Sequence, residues 1–218
     1  MVYEEILNDK YFVDTYTKIE EIKKDFPVNH GFIHIHNVIE NAKNISQVFD
    51  LNEEDRELLL VACALHDIGY LVDREDHPAH GAIMAKEYLL SKHWLNDEEI
   101  EKVCKTIASH GGKDDEDYVE DLSICMILAD KMDFSKTRYV NDLVKYPKVA
   151  PFLKIEAIRL EKEANRYYVT IYNNVGFNED ELEIDYFKKL NRVLERLNRV
   201  KGIEIKIRYV IKNVNQGD

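Results

Sequence analysis

The sequence predicts a mainly α-helical protein, a helical bundle that ends in a small C-terminal β-β-α-β appendage. Up to about residue 150, apolar residues recur every three or four positions, as they do on the buried face of a helix. Beyond that point, two short runs alternate between apolar and polar residues, as strands do. A helical stretch and a last alternating run follow. We therefore divide the chain into a helical domain, residues 1–150, and an appendage, residues 151–218.

The central helix of the bundle is predicted from a long apolar run. Residues 58–65 are apolar on every side of a helix, so this helix should be surrounded by others. Asn52 is well placed to cap its start, with Asp55 three residues further on. Gly69 is predicted to end it. The preceding helix, after His34, carries its apolar residues at helical spacing: Val38, Ala42, Ile45 and Phe49.

Three further helices complete the predicted bundle. Pro78 suits the first turn of a helix that extends to about Leu90. Asp97 begins another, which should stop at the pair of glycines at positions 111–112. Residues 122–129 carry the apolar face of the last one.

The appendage is predicted from the change in period after residue 150. Residues 155–163 and 166–173 resemble two strands joined around positions 164–165. A helix should then run from near Glu179 to Val200. The last strand, Ile203–Val210, has a strongly apolar face and is a candidate edge for pairing in a homodimer.

Composition and charge narrow the class of function. Residues 1–151 carry a net charge of −14 and residues 152–218 a net charge of +2. The acidic body opposes binding to long nucleic acid and suits a protein that concentrates divalent cations. The sequence contains neither a signal-peptide core nor an apolar stretch long enough for a membrane span, so we expect a cytoplasmic protein. Its three cysteines form no CxxC pair and are expected to be buried thiols.

An imidazole and a carboxylate stand side by side at the end of the central apolar run, at His66 and Asp67. Such groups are rarely left in a core unless they are paired or bind a metal. Neighbours on a helix point about 100° apart, so both reach one ion only if it lies at the helix end. The alternative is a hydrogen-bonded helix terminus without a metal.

Other ligands are predicted from helical faces. His34 shares its face with apolar residues and should point inward, whereas His36 should face solvent. Asp130 lies on an apolar stripe, where its carboxylate needs either a cation or a salt bridge. His77 and His110 form a second set, which two ions would share with the first set if Asp67 bridges them. By itself, each of these two would more often be a capping or core histidine than a ligand.

Three histidines outside this set have less defined roles. His80, one turn after His77, is either a substrate contact or a surface residue. His30 and His93 lie in polar stretches, and we expect no specific role for them.

These motifs resemble the HD-domain metal-dependent phosphohydrolase superfamily over about residues 28–145. Residues 34–42 are similar to its H-x-x-x-V-x-x-x-A opening, residues 65–69 to its HD helix and residues 128–131 to its closing aspartate. Residues 77–82 and 107–110 are similar to the two further histidine motifs of members with two metals. The appendage resembles nothing that we can name.

The resemblance implies a helical bundle with a metal centre between its central helices, and hydrolysis of a phosphoester or phosphoanhydride by metal-activated water. The implied substrate is a small phosphorylated molecule such as a nucleotide. The expected ligands are His34, His66, Asp67, His77, His110 and Asp130. They would bind one or two divalent ions (Fe, Mn, Zn, Co or Mg), the number depending on His77 and His110.

Two residues are candidates for the chemistry itself. Asp67 would orient the attacking water, and Lys131 would offset the charge that develops on the phosphate, unless it is only a surface lysine. Asp133 is either a partner of a ligand or an ordinary helix-end charge, and Arg138 is a weaker phosphate candidate. Two other functions fit the same ligands: a di-iron oxygenase, and a nucleotide-sensing module without enzymatic activity.

Overall fold

The structure is a computed structural model that describes residues 1–111, 121–139, 142, 144–174 and 185–211. Helices dominate the first part of it, and three strands with one helix form the C-terminal part, as predicted. The helices, labelled α1 to α8 in chain order, are Val2–Asn8, Lys10–Lys23, Phe32–Val48, Glu53–Leu65, His77–Lys92, Asp97–Ser109, Asp121–Lys131 and Asp185–Lys201. The strands β1 to β3 are Ile155–Glu163, Arg166–Asn173 and Ile205–Ile211.

Side-chain caps fix where the helices begin. The Asn52 side chain accepts a hydrogen bond from the backbone N–H of Asp55 at 2.8 Å, which confirms the predicted start of α4. Asn96 forms a capping box with Glu99 at the start of α6. Pro78 lies in the first turn of α5, where its missing N–H costs no hydrogen bond. These starts were predictable because each cap depends on residues only three positions apart.

Helix α4 is the centre of the bundle. Every residue from Leu58 to Leu65 is at most 1% exposed. Helices α1, α3, α6 and α7 pack around it, so each side of the helix removes apolar surface from water. The prediction of a central, wholly buried helix is confirmed.

The predicted end of this helix was wrong by four residues. The helix stops at Leu65, and Gly69 lies in a separate 3₁₀ turn, Ile68–Leu71. A Cβ atom on Gly69 would lie 2.1 Å from the carbonyl oxygen of His77 and 2.5 Å from the backbone nitrogen of Gly81. Glycine is therefore needed at position 69 because α5 passes directly against this turn, and the sequence alone does not reveal that contact.

The C-terminal sheet has the order β1-β2-β3. Strands β1 and β2 form an antiparallel hairpin, with the turn at Ala164 in a left-handed conformation (φ 53°). Strand β3 pairs parallel to β2, with Val169 opposite both Leu160 and Ile207. Helix α8 connects β2 to β3, as a parallel pair requires.

The limits of the appendage differ slightly from the prediction. Strands β1 and β2 have the predicted bounds, whereas β3 begins at Ile205 instead of Ile203. The predicted helix start near Glu179 and the glycine at position 112 lie outside the described residues. The homodimer through this last strand stays a prediction.

The appendage packs directly on the bundle. Asn44 of α3 exchanges two hydrogen bonds with the backbone of Leu160 in β1, at 2.8 and 3.0 Å. Lys201 at the end of α8 lies 2.6 Å from the Asp121 carboxylate at the start of α7. Apolar residues of both parts belong to one continuous core. The division into two domains at residue 150 stays a prediction.

The sequence also predicted buried cysteine thiols and no membrane-spanning helix. Cys63, Cys104 and Cys125 are free and buried, as expected. Among the described helices, none combines the length and apolar character that a bilayer crossing requires.

Candidate metal centre

Six ionisable side chains from five helices meet at one end of the bundle. Each lies within a helix or directly at its end, so helix packing fixes its position. They are His34 in α3, His66 and Asp67 just after α4, His77 at the start of α5, His110 just after α6 and Asp130 near the end of α7. Five of the six are buried, and the His77 side chain is 15% exposed. The structure thus brings together all six residues that the sequence analysis names as expected ligands.

The first half of the cluster is formed by His34, His66 and Asp130. The Nε2 atoms of His34 and His66 are 3.2 Å apart. Asp130 Oδ1 lies 3.5 Å from His34 Nε2. One ligand atom from each of these three residues lies within 4.8 Å of the other two, a separation that one cation can bridge.

The second half is formed by His77 and His110. Their Nε2 atoms are 3.0 Å apart, and each lies 3.6 Å from Asp67 Oδ1. The ring of Tyr70 stacks on His77 with 4.0 Å between ring centroids and 10° between ring planes. This stacking fixes the plane of the His77 imidazole.

Asp67 lies between the two halves. Its Oδ2 is 3.3 Å from His34 Nε2, and its Oδ1 is 3.2 Å from His66 Nε2. Oδ1 also faces His77 and His110. Oδ2 therefore faces the first half of the cluster, whereas Oδ1 faces imidazoles of both halves, so this one carboxylate contacts the residues of both halves, as a bridging ligand would.

The far side of each imidazole is anchored. Nδ1 of His66, His77 and His110 lies 2.7–2.9 Å from the backbone carbonyls of Cys63, Arg74 and Ile107 respectively. A carbonyl only accepts hydrogen bonds, so Nδ1 of each ring carries the hydrogen. In the neutral ring, Nε2 then presents a lone pair to the centre of the cluster. Anchoring of this kind is typical of metal-binding histidines.

The electrostatics of the cluster favour ionised acids. Burial opposes ionisation of Asp67, but the charge of His66 and the polar contacts with the neighbouring imidazoles of His110 and His30 hold its pKa well below the ordinary value. Burial has the same effect at Asp130, where Lys131 and His34 nevertheless lower the pKa. Two carboxylates are therefore negatively charged inside the protein, and they need positive charge nearby.

The imidazoles supply only part of this positive charge. Burial lowers the pKa of His77 to about 4 and also lowers the pKa of His110. At neutral pH these two rings are uncharged and present two lone pairs to each other. Burial also acts on His66, but Asp67 outweighs it and raises the pKa of His66. Nitrogen and oxygen lone pairs converging on buried negative charge fit a first-row divalent cation.

His30 also lies at this site, although no specific role for it was expected from the sequence. Its Nδ1 lies 3.3 Å from Asp67 Oδ2, and its ring is 5.8 Å from that of His34. His30 precedes α3, where helical periodicity carries no information about direction, so the pattern could not reveal this contact. It is a further candidate ligand on the Oδ2 side of Asp67.

The other candidate residues from the sequence analysis lie around the cluster or on the surface. Lys131 Nζ lies 2.5 Å from Asp130 Oδ2 and is 13% exposed, so it is not a surface lysine. Asp133 bonds to His34 Nδ1 at 2.6 Å, which makes it the partner of a ligand. His36 is exposed, as predicted, and His80 is half-buried.

Arg138 is wholly buried beside the cluster. Its guanidinium lies 3.5 Å from the Asp133 carboxylate and 3.5 Å from His30 Nδ1. Its guanidinium therefore places positive charge next to Asp133, and it also lines the cavity beside the cluster.

A cavity of about 280 Å³ opens directly onto the cluster. Its wall includes four of the six clustered residues: Asp67, His77, His110 and Asp130. Cationic side chains also line it: Lys23, Arg74, Lys131, Arg138 and Lys189. Lys189 is contributed by α8, so the appendage forms part of this wall.

The match to one family model agrees with this geometry. Residues 31–135 match the model of the HD domain family. No curated protein is significantly similar to the chain. The structure is similar to the 1.45 Å crystal structure of a predicted HD superfamily hydrolase from an uncultured Thermotogales bacterium, with a TM-score of 0.46 and 20% identity. That match covers 68% of this chain and 83% of the other. The segment that matches the HD domain family, residues 31–135, includes all six clustered residues.

Proposed function

We propose that this protein is a metal-dependent phosphohydrolase, which cleaves a phosphoester or phosphoanhydride bond of a small substrate, most suitably a nucleotide. One observation carries the proposal. The buried carboxylate of Asp67 stands between two groups of imidazole nitrogens, with His34 facing Oδ2 and His110 facing Oδ1. A carboxylate shared in this way, with histidines on both sides, suits a pair of divalent ions and the hydrolytic chemistry that such pairs support.

The residues divide naturally between two ions. His34, His66 and Asp130 would hold one of them, His77 and His110 would hold the other, and Asp67 would be shared. Divalent ions held there would acidify a water molecule and stabilise negative charge on the phosphoryl oxygens. Imidazole and carboxylate ligands accept Fe, Mn, Zn and Co, and also Mg less readily, so the ligand set restricts the metal without naming it.

Asp67 and Lys131 are the two side chains that would take part in the reaction beside the metal ions. Asp67 is ionised and buried, so its carboxylate is able to accept a hydrogen bond from the attacking water and orient it. Lys131 Nζ lies in the cavity wall, on the Asp130 carboxylate. A small rotation would let it donate to a phosphoryl oxygen as negative charge develops there.

The mouth of the cavity suits a nucleotide. Lys23 Nζ lies over the rings of Tyr70 and Phe26, 4.1 and 4.9 Å from their centroids, and Arg74 lies over Phe26 at 5.3 Å. Phe26 is 36% exposed and offers a flat apolar surface next to two cations. A base can stack on such a surface while the cations attract its phosphate.

The test is phosphate release from a panel of nucleotides by chelator-treated protein supplied with Mn, Fe, Co or Mg. His34→Ala should reduce the rate by at least about a hundredfold, since it removes a metal ligand. His36→Ala is the matched control, because His36 is two residues away on the same helix and faces solvent. This control should retain the wild-type rate.

The outcomes separate the possible functions. Phosphate release that depends on His34 but not on His36 supports the proposal. Full activity of the folded His34→Ala protein would contradict it. Oxygen uptake by an iron-loaded protein without phosphate release would favour an oxygenase, and tight nucleotide binding without turnover under any metal would favour a sensing module.

A further inference from the structure

Helix α8 of the appendage runs along α7, antiparallel to it. Lys201 at the C-terminal end of α8 bonds to Asp121 at the N-terminal end of α7. The N-terminal half of α8 therefore lies beside the C-terminal half of α7, where Lys131 stands. This packing brings Lys189 into the wall of the metal-centre cavity.

A second cavity, of about 440 Å³, adjoins the first one. The two share Gly111, Lys131 and Lys189 in their walls. The second cavity lies between α7 and α8, on an apolar floor that includes Ile127 and Leu197. We call this second cavity the α8 groove.

The α8 groove is strongly cationic. Among the residues that the structure describes, five basic side chains line it, against one acid, Glu195: Lys131, Lys189, Arg192, Arg196 and Arg199. The chain as a whole carries a net charge of −12, so this concentration of positive charge is local. Cations in a concave, partly apolar setting focus their field on whatever enters it, and guanidinium groups match the geometry of phosphate oxygens.

We infer that the substrate carries a second phosphate-like group, distant from the bond that is cleaved, and that the α8 groove binds it. The cleaved group would lie against Asp67 and the histidines, and the second group would lie between Lys189 and Arg192. This assigns a function to the appendage, which lies outside the HD domain: it selects substrates with two separated anionic groups. The inference rests on the proposed function, since it describes the other end of the same substrate.

The test uses phosphonates, whose carbon–phosphorus bonds resist hydrolysis. Metal-loaded protein is titrated by calorimetry with propylphosphonate and with a series of linear alkanediphosphonates of increasing length. We expect one diphosphonate of the series to bind at least about tenfold more tightly than propylphosphonate. In the double variant Arg192→Gln, Arg196→Gln, whose two arginines line only the α8 groove, this gain should vanish, while the affinity for propylphosphonate stays unchanged.

A neighbouring residue provides the control. Lys188 lies on the same helix, has the same charge as the two arginines and is exposed, but it lines neither cavity. Lys188→Gln should therefore retain the full gain. A gain that Lys188→Gln also abolishes would reflect general surface charge and would overturn the inference.

Two further results would overturn it. One is equal affinity for propylphosphonate and every diphosphonate. The other is a gain that survives in the double variant, as expected if both phosphonates bind at the metal centre. The proposed function fails separately: it fails if the protein takes up no metal or releases no phosphate from nucleotides, and both are measured on the same preparations.

Discussion

The carboxylate of Asp133 accepts a hydrogen bond from Nδ1 of His34 at 2.6 Å, although 99 residues separate the two in sequence. Asp133 is itself held from two other sides, by the Asn37 amide at 2.9 Å and by the Arg138 guanidinium at 3.5 Å. This chain of contacts fixes the His34 ring with Nε2 turned towards Asp67 and Asp130.

Asp133→Asn should therefore weaken metal binding without removing a ligand. The neutral amide no longer polarises His34, and loss of such a partner typically costs about 10- to 100-fold in metal affinity. The measurement is competition with a chromophoric chelator. Asn37→Ala is the control, because it removes a hydrogen bond to the other oxygen of Asp133 and leaves the contact with His34 in place. Equal affinities for Asp133→Asn and wild type would contradict the role of Asp133.

Gly69→Ala should destabilise the protein and displace His77. The added methyl group would meet backbone atoms of α5 at 2.1 and 2.5 Å, and backbone cannot move aside as a flexible side chain can. We expect a loss of at least about 2 kcal/mol in the free energy of unfolding, measured with urea. The variant should also bind the second metal ion more weakly, since His77 belongs to the displaced segment.

Gly202→Ala separates this clash from the general effect of replacing a glycine. Gly202 has φ +66°, but nothing lies within 4 Å of the position that a Cβ would take. Its replacement should cost only about 1 kcal/mol, through the strained backbone, and leave metal binding unchanged. Equal losses in the two variants would show that the contact between Gly69 and α5 is unimportant.

The metal-free protein should lose stability as the pH falls from 7 to 5, in part because of His77. The pKa of this residue is about 4 in the folded protein and about 6.5 in an unfolded chain. Between these values the unfolded state binds more protons, so the free energy of unfolding falls as the pH falls. His77→Asn should reduce this loss by up to about 2 kcal/mol.

Urea unfolding of both chelator-treated proteins at the two pH values gives the difference directly. Comparing the two losses cancels the contributions of the other titrating groups that the substitution leaves unchanged. If the two proteins lost equal amounts of stability, His77 would not be held in its neutral form by burial.

Local pattern was sufficient to predict most of the fold. The start of α4 depends on Asn52 and Asp55, which are neighbours, and the burial of residues 58–65 follows from their composition alone. The inward direction of His34 and the outward direction of His36 follow from helical period. Each of these features depends on residues within a few positions of one another, where sequence patterns are most informative.

Contacts between distant segments were not predictable in the same way. The role of His30 depends on a turn that brings it against Asp67, and the need for glycine at position 69 depends on how closely α5 approaches. The presence of Lys189 in the cavity wall depends on how α8 packs along α7. None of these relationships leaves a periodic signal in the chain.

The most direct test of the account is the number of metal ions that each folded chain binds. Protein purified without chelator, or reconstituted with Mn, Fe, Co or Zn, is measured by elemental analysis alongside His34→Ala and His36→Ala. The account predicts about two ions per chain for wild type and His36→Ala, and a clear loss for His34→Ala. A folded wild-type protein that takes up none of these ions would contradict it.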